Sequence, residues 1–230
     1  MGLNKTNGNM YPWVTHTWNP LAGKCQHNCE YCYMKRSFLG NLGKYKGEVS
    51  LAEDALNTDL GSNNTIFVGS ATDMFGKWVP ENVIKKILKY CNKFSNSYLF
   101  QSKDPGRMAE FIGFLPKDSI IATTLETNRV YEITSAPQPS QRYHDFLSIA
   151  HPRKMISIEP IMDFDLEEFL TWIKDINPEF VSIGADSKNN SLKEPSPHKI
   201  RALILGIKKF AEIREKKNLK RVVEITAQHY

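Results

Sequence analysis

Cys25-Gln26-His27-Asn28-Cys29-Glu30-Tyr31-Cys32-Tyr33 is the stretch on which the reading of this chain turns. Three of the chain's four cysteines fall within these residues, at a Cys-x3-Cys-x2-Cys spacing. A loop of that length can wrap three thiolates around one 4Fe–4S cube, which ordinarily takes four. The remaining cysteine, Cys91, lies far away on the helical stripe Val83, Ile84, Ile87, Leu88 and Cys91, where a buried inert thiol is expected. With three protein ligands, one iron keeps an open position, and an open iron can hold a small molecule.

Zinc is the alternative, held by the three cysteines with His16, His27 or His151. Zinc fingers and ribbons favour two ligand pairs well separated in sequence, and no second pair is present here. A disulfide fits less well. Met1 to Met10 is polar and lacks the apolar core of a secretory signal. Clustered cysteines in a reducing cytoplasm are expected to bind metal rather than to pair.

The flanks carry a resemblance. Thr17-Trp18-Asn19-Pro20, Ile158-Glu159-Pro160-Ile161 and Gly184-Ala185-Asp186-Ser187, together with the cysteine motif, resemble the often phage-encoded three-Cys-motif group of the radical S-adenosylmethionine (SAM) superfamily. That group shares features with the spore photoproduct lyase branch. The resemblance runs from about Trp13 to Ile204, and the cysteine motif is its specific part. It implies that Cys25, Cys29 and Cys32 hold a 4Fe–4S cluster whose open iron takes the amino and carboxylate groups of SAM. Reductive cleavage then gives a 5′-deoxyadenosyl radical that abstracts hydrogen from a substrate. An external flavodoxin- or ferredoxin-like electron donor is implied with it.

At 230 residues the chain is expected to form one domain. Short β-rich runs alternate with helical patterns, which predicts a parallel sheet with right-handed crossovers. Strands are expected over 13–18, 65–70, 98–102, 119–125, 154–158, 180–183 and 221–226. Helices are expected to start at Tyr33 and to cover 80–94, 106–115, 143–150, a run from Leu166 and 195–217. Residues 40–64 are expected to be a surface excursion with a helical patch over 51–56, and residues 128–142 a loop. An eight-unit barrel needs about 250 residues. A partial, open (β/α)6 TIM-like barrel suits the length, and the resemblance implies the same α/β fold.

In parallel α/β folds, ligands bind beyond the C-terminal ends of the strands. The cysteine loop, within 19–33, follows strand one. The next strand ends deliver Gly69, Ser70, Thr72 and Asp73, then Gln101, Ser102 and Lys103. Thr123, Thr124 and Glu126 come next, then Ser157 and Glu159, and finally Gly184, Asp186 and Ser187. A rim so consistently polar argues for a ligand. The resemblance assigns Gly69, Ser70 and Asp73 to the methionyl ammonium. The family's Gly-Gly-Glu is Gly-Ser-Ala here. Glu126 and Glu159 are candidates for the ribose hydroxyls or the sulfonium, the Tyr31 backbone for adenine, and Lys103 for the SAM carboxylate or an anionic substrate. His27 reads either as a donor to cluster sulfur or as a solvent-facing loop residue. His16 reads as a core histidine.

The net charge is +5, with a basic run at Lys208, Lys209, Arg214, Lys216, Lys217, Lys220 and Arg221. Such a run is ordinarily the solvated face of a helix, and its other reading is a surface for nucleic acid. No stretch approaches the roughly 18 apolar residues of a membrane span. A cytoplasmic enzyme is expected whose substrate the sequence leaves open, nucleic acid being favoured modestly over a peptide or small molecule, with a partner protein as a further expectation. The other reading is a zinc- or iron–sulfur-stabilised module that binds nucleic acid or protein without catalysis.

Overall fold

The computed structural model describes residues 2–6 and 10–223. Among the described residues ten strands form: β1 (Asn4–Lys5), β2 (His16–Trp18), β3 (Leu21–Ala22), β4 (Ser50–Leu51), β5 (Thr65–Val68), β6 (Ser97–Ser102), β7 (Ser119–Thr124), β8 (Lys154–Ile158), β9 (Phe180–Ile183) and β10 (Glu212–Glu215). The helices are α1 (Phe38–Asn41), α2 (Glu81–Cys91), α3 (Pro105–Ala109), α4 (Pro139–Ser148), α5 (Leu166–Ile176), α6 (Pro197–Ile207) and α7 (Lys220–Val223). None of them is long and apolar enough to cross a membrane.

β2, β5, β6, β7, β8, β9 and β10 lie side by side in chain order, each parallel to the last. Winding in one direction puts every crossover on the same face and curls the sheet, as in a barrel. The sheet does not close among the described residues: β1 pairs antiparallel with β2, and β10 ends the other edge. This is the expected partial α/β barrel. β7, β8 and β9 are buried along their whole length, as parallel strands covered on both faces are.

The two faces of the sheet separate by alternation. Ile66, Tyr98, Phe100, Ile121, Ile156 and Val181 point outward into the core shared with the helices, where α2 adds Ile84, Ile87 and Leu88 and α5 adds Phe169 and Ile173. Leu99, Ile120, Ala122, Met155 and Phe180 point to the concave side and pack on Tyr11 and Val14. Residues 10–14 thus floor the barrel. The Trp13 ring stacks on Tyr11 at 5.5 Å and meets Phe180 edge-on at 5.2 Å. Two residues further along each strand the concave face turns polar. There the Tyr11 hydroxyl donates to Gln101 Oε1 at 2.9 Å and lies 2.8 Å from Ser157 Oγ, and Gln101 Nε2 donates to Thr124 Oγ1 at 2.9 Å.

Several boundaries differ from the sequence reading. Strand one is only His16–Trp18, because Trp13 and Val14 belong to the floor. The expected helix at Tyr33 is a 3-10 turn over Tyr33–Arg36 followed by the single turn α1. The patch at 51–56 holds β4 and a 3-10 turn rather than a helix, and β4 pairs with β3. α3 stops at Ala109 and a 3-10 turn follows at Ile112–Phe114. α4 begins earlier than expected, with Pro139 in its first turn. The expected helix 195–217 ends at Ile207, and Glu212–Glu215 is the last parallel strand. Its Glu-Ile-Arg-Glu sequence reads as a polar helix because an edge strand needs little apolar content. Arg221 to Val223, expected as strand, is helical, and residues 224–226 lie outside the described residues.

The basic run is not one solvated face either. Lys216 is buried, Arg214 lies 3.6 Å over the Phe180 ring, and Arg221 pairs with Glu194. His16 is half-buried, with Nδ1 2.9 Å from Thr15 Oγ1, rather than a core histidine.

Candidate functional site

The cysteine loop starts where β2 ends and is fixed from three sides. Behind it, the β3–β4 ribbon ties Leu21 to Leu51. Gly23, at φ +92°, lies so close to Glu48 that a Cβ would stand 2.2 Å from its carbonyl oxygen, so no side chain fits there. The loop after β7, expected only as a connection, docks from the other side. Ser135 N donates to His27 O at 2.7 Å, and Glu30 N donates to Ile133 O at 2.9 Å. Thr134 Oγ1 donates to His27 O at 3.0 Å and lies 3.1 Å from Cys29 Sγ.

Cys29 is buried and Cys25 and Cys32 are half-buried, and all three are free thiols. Burial, followed by the nearby Asp73 charge, pushes the Cys25 thiol up to about 12. Burial likewise raises Cys32. A negative charge on Cys29 adds to both shifts, so the three sulfurs share one electrostatic environment. Thiols raised in this way ionise only against a nearby positive charge. Among the described residues no three His, Cys, Asp or Glu side chains gather to hold a single metal ion. Cys91 is fully buried in the outer core, as its helical stripe predicts.

His27 is buried, not solvent-facing. Its Nε2 lies 2.9 Å from Asp73 Oδ2, and its ring meets Trp78 edge-on at 4.7 Å. Its Nδ1 is buried with no hydrogen-bond partner among the described residues. Asp73 also accepts from Ser102 Oγ at 2.8 Å, Lys103 N at 2.8 Å and Phe75 N at 3.0 Å. A carboxylate has about four lone-pair sites, and these donors occupy them. Burial works to raise the Asp73 carboxyl, but the hydrogen bond and charge of His27, with the Lys103 and Ser102 donors, outweigh it and hold it low. Asp73 therefore fastens the cysteine loop to the ends of β5 and β6.

Glu126 is buried at the end of β7. Arg142 Nη1 reaches its Oε2 at 2.8 Å, while Lys103 Nζ and the Tyr31 hydroxyl both donate to Oε1. Lys103 Nζ also sits 5.2 Å over the Tyr31 ring. Burial opposes the ionised carboxylate. Arg142, then Lys103, overcome that opposition and push Glu126 down to about 2. Two cations against one carboxylate leave one positive charge in excess beside Cys32. Tyr31, placed by the resemblance through its backbone, enters the site through its hydroxyl.

The remaining candidates line the rim. Gly69, at φ +77°, donates its N–H to Trp18 O at 2.9 Å. Ser70 Oγ and Ala71 N both donate to Asn19 Oδ1, at 3.1 and 2.9 Å. Thr124 faces the barrel interior beside Gln101. Glu159 accepts from Lys216 Nζ at 2.6 Å. A Cβ on Gly184 would stand 2.9 Å from Glu159 Oε1, so Gly184 leaves room for that carboxylate. Asp186 caps its own loop, accepting from Lys188 N at 3.1 Å and Asn190 Nδ2 at 2.5 Å. The acidic candidates are thus engaged by protein donors and shape the rim.

Sequence reasoning missed Tyr11, Asn19, Thr134, Arg142 and Lys216. Only Arg142 left a usable signal: a cation on the same helical stripe as Tyr143 and Phe146.

Among solved structures the chain is similar to a spore photoproduct lyase variant, with a TM-score of 0.63 and 10% identity over 91% of this chain and 79% of that one. It is similar to a spore photoproduct lyase with bound AdoMet and dinucleoside spore photoproduct, with a TM-score of 0.56 and 12% identity over 91% and 66%. It is also similar to SuiB of Streptococcus suis bound to S-adenosylmethionine, with a TM-score of 0.53 and 11% identity over 86% of this chain but only 49% of SuiB. Both proteins are radical-SAM enzymes, and the fold here is theirs. No curated protein matches by sequence. A family model described as "Protein of unknown function (DUF5131)" matches residues 9–195, and the chain belongs to that family.

Proposed function

We propose that the chain is a radical-SAM enzyme in which Cys25, Cys29 and Cys32 hold a 4Fe–4S cluster with SAM at its open iron. The observation that carries this reading is the placement of three unpaired, electrostatically linked thiols on one anchored loop at the C-terminal mouth of a barrel shared with radical-SAM enzymes. The donor set fits the group. Three thiols satisfy three irons, and the unpartnered His27 Nδ1 lies on the loop between two of them, where sulfur accepts hydrogen bonds.

The bound cluster and SAM together supply one-electron cleavage of the sulfonium to a 5′-deoxyadenosyl radical. The chain's own residues do the positioning. Asp73 and Thr134 hold the cysteine loop at the barrel mouth. Tyr31 and Lys103 wall the site above Glu126, and the positive charge that Lys103 and Arg142 hold in excess of that carboxylate suits a carboxylate or another anion. Tyr11 closes the floor against water. The favoured substrate class is nucleic acid. Its support is the net charge of +5 and the dinucleoside carried by one of the similar lyase structures. Unpaired thiols on the cysteine loop and a cluster that must be reduced to act support a reducing compartment such as the cytoplasm.

The test is anaerobic reconstitution with iron and sulfide, then reduction with dithionite in the presence of SAM, read as 5′-deoxyadenosine. Wild type is expected to form it and Cys29→Ala to form none. A loaded wild-type cluster that neither binds SAM nor yields deoxyadenosine overturns the reading and leaves a metal-bearing binding protein.

A further inference from the structure

Thr134 lies in the loop after β7, and its one hydroxyl serves three groups. Ala136 N donates to Oγ1 at 3.1 Å, Oγ1 donates to His27 O at 3.0 Å, and Cys29 Sγ lies 3.1 Å away. A hydroxyl has one proton and two lone pairs. With Cys29 as a thiol the count closes. Ala136 N and the Cys29 S–H take the lone pairs, and the single proton goes to His27 O.

A cysteine that ligates iron is a thiolate and has no proton to give. The hydroxyl proton can then turn from His27 O to the sulfur. His27 O keeps a second donor, Ser135 N at 2.7 Å, and stays hydrogen-bonded when the hydroxyl turns away. The ligated sulfur carries negative charge, and Cys29 is only 6% exposed, so water competes poorly for it. Turning the hydroxyl satisfies a buried charge and strands no other group.

The other two sulfurs are served by the backbone. Amides at Asp73 and His27 hydrogen-bond Cys25, and amides at Met34 and Lys35 hydrogen-bond Cys32. Cys29 is met instead by a side chain 105 residues further along the chain. Two backbone bonds fix that side chain in place: Glu30 N to Ile133 O at 2.9 Å and Ser135 N to His27 O.

We infer that Thr134 acts through Cys29 to set the reduction potential of the cluster, by donating its hydroxyl proton to the ligated sulfur. This rests on the reading of Cys25, Cys29 and Cys32 as cluster ligands given above. A hydrogen bond to a ligand sulfur draws off negative charge and favours the reduced state, which holds one more electron. The hydroxyl therefore brings the cluster within reach of a weaker reductant. The step is the addition of one electron to the cluster, supplied in the test by dithionite, and it breaks no bond.

The experiment is a redox titration of reconstituted protein without SAM, read from the electron paramagnetic resonance of the reduced cluster. Thr134→Val keeps the side-chain shape without the hydroxyl, and Thr134→Ser keeps the hydroxyl. Tyr131→Phe removes a different hydroxyl from the same loop, one that donates to Asp163 O at 3.2 Å. At a fixed ambient potential, the reduced-to-oxidised ratio of Thr134→Val is expected to fall about tenfold, which for one electron is a potential lower by about 59 mV. Thr134→Ser and Tyr131→Phe are expected to stay within about twofold of wild type. An unchanged potential in Thr134→Val overturns the proposal. So does a serine or Tyr131→Phe variant displaced as far as the valine variant, because packing of the loop would then be the cause. Thr134→Ala is titrated beside them as a second hydroxyl-free variant, and failure of both to load a cluster would reduce Thr134 to a structural role. A wild-type cluster that titrates normally yet never cleaves SAM would sink the enzyme reading and leave this comparison standing, whereas a wild type that assembles no 4Fe–4S cluster would overturn both.

Discussion

Arg142 and Glu126 face each other at 2.8 Å, both almost wholly buried, in a chain whose other close ion pairs are mostly half-exposed or at the surface. A buried pair of this kind has desolvated both charges, so either partner alone becomes costly. Glu126→Gln leaves Arg142 and Lys103 with a neutral partner. It is expected to destabilise the protein by about 3–5 kcal/mol, read from urea unfolding.

The same carboxylate sets a pH dependence. Glu126 is held at about 2, below its ordinary value of 4.5. A depressed carboxylate stabilises the folded state above its unfolded pKa, and that contribution is lost as pH falls toward the folded value. Stability is therefore expected to decline between about pH 5 and pH 2. Glu126→Gln, followed by thermal unfolding across that range, is expected to show a shallower decline. An equally steep profile in the variant would locate the acid-sensitive group elsewhere.

Iron retention separates the cysteines. Alanine at Cys25, Cys29 or Cys32 is expected to reduce iron and sulfide content after reconstitution to a small fraction of wild type. Cys91→Ala, in the outer core, is expected to keep the iron and lose only packing, about 1 kcal/mol or somewhat more. Iron lost from Cys91→Ala without unfolding would move that residue into the site.

Gly184 and Gly113 make a paired test of space. A Cβ on Gly184 meets Glu159 at 2.9 Å and Asn218 at 3.1 Å, whereas one on Gly113 meets nothing within 4 Å. Gly184→Ala is expected to cost about 1–3 kcal/mol by displacing the Glu159–Lys216 pair, and Gly113→Ala to be neutral or slightly stabilising. Thermal unfolding of the two variants compares them directly.

Tyr11→Phe removes the hydroxyl shared by Gln101 and Ser157 and keeps the ring. Leaving those polar groups short of a partner is expected to cost about 1–3 kcal/mol in chemical unfolding.

The parallel sheet was legible because β7, β8 and β9 are buried along their whole length and carry short apolar bodies, Ile120-Ile121-Ala122, Met155-Ile156 and Phe180-Val181. The rim was legible because each of these strands gives way to polar residues at its C-terminal end. β10 was not legible: at the sheet edge, Glu212 and Glu215 meet solvent, so the strand carries helix-like polarity. The floor was not legible either, because Tyr11 and Trp13 look like any aromatic pair until the far strands are folded around them. Among site residues, the acids at strand ends stood out, but their partners did not. Lys216 lay inside a charge run that resembles a solvated helix, and Thr134 in a loop without pattern.

The floor also sets an order of events. Tyr11 is synthesised before its hydroxyl partners, which lie 90 and 146 residues later, at Gln101 and Ser157. Contacts this distant in sequence close late and slow folding. A nascent chain therefore exposes Tyr11, Trp13 and Val14 until β8 has left the ribosome, and this short aromatic segment is where a chaperone has longest to act.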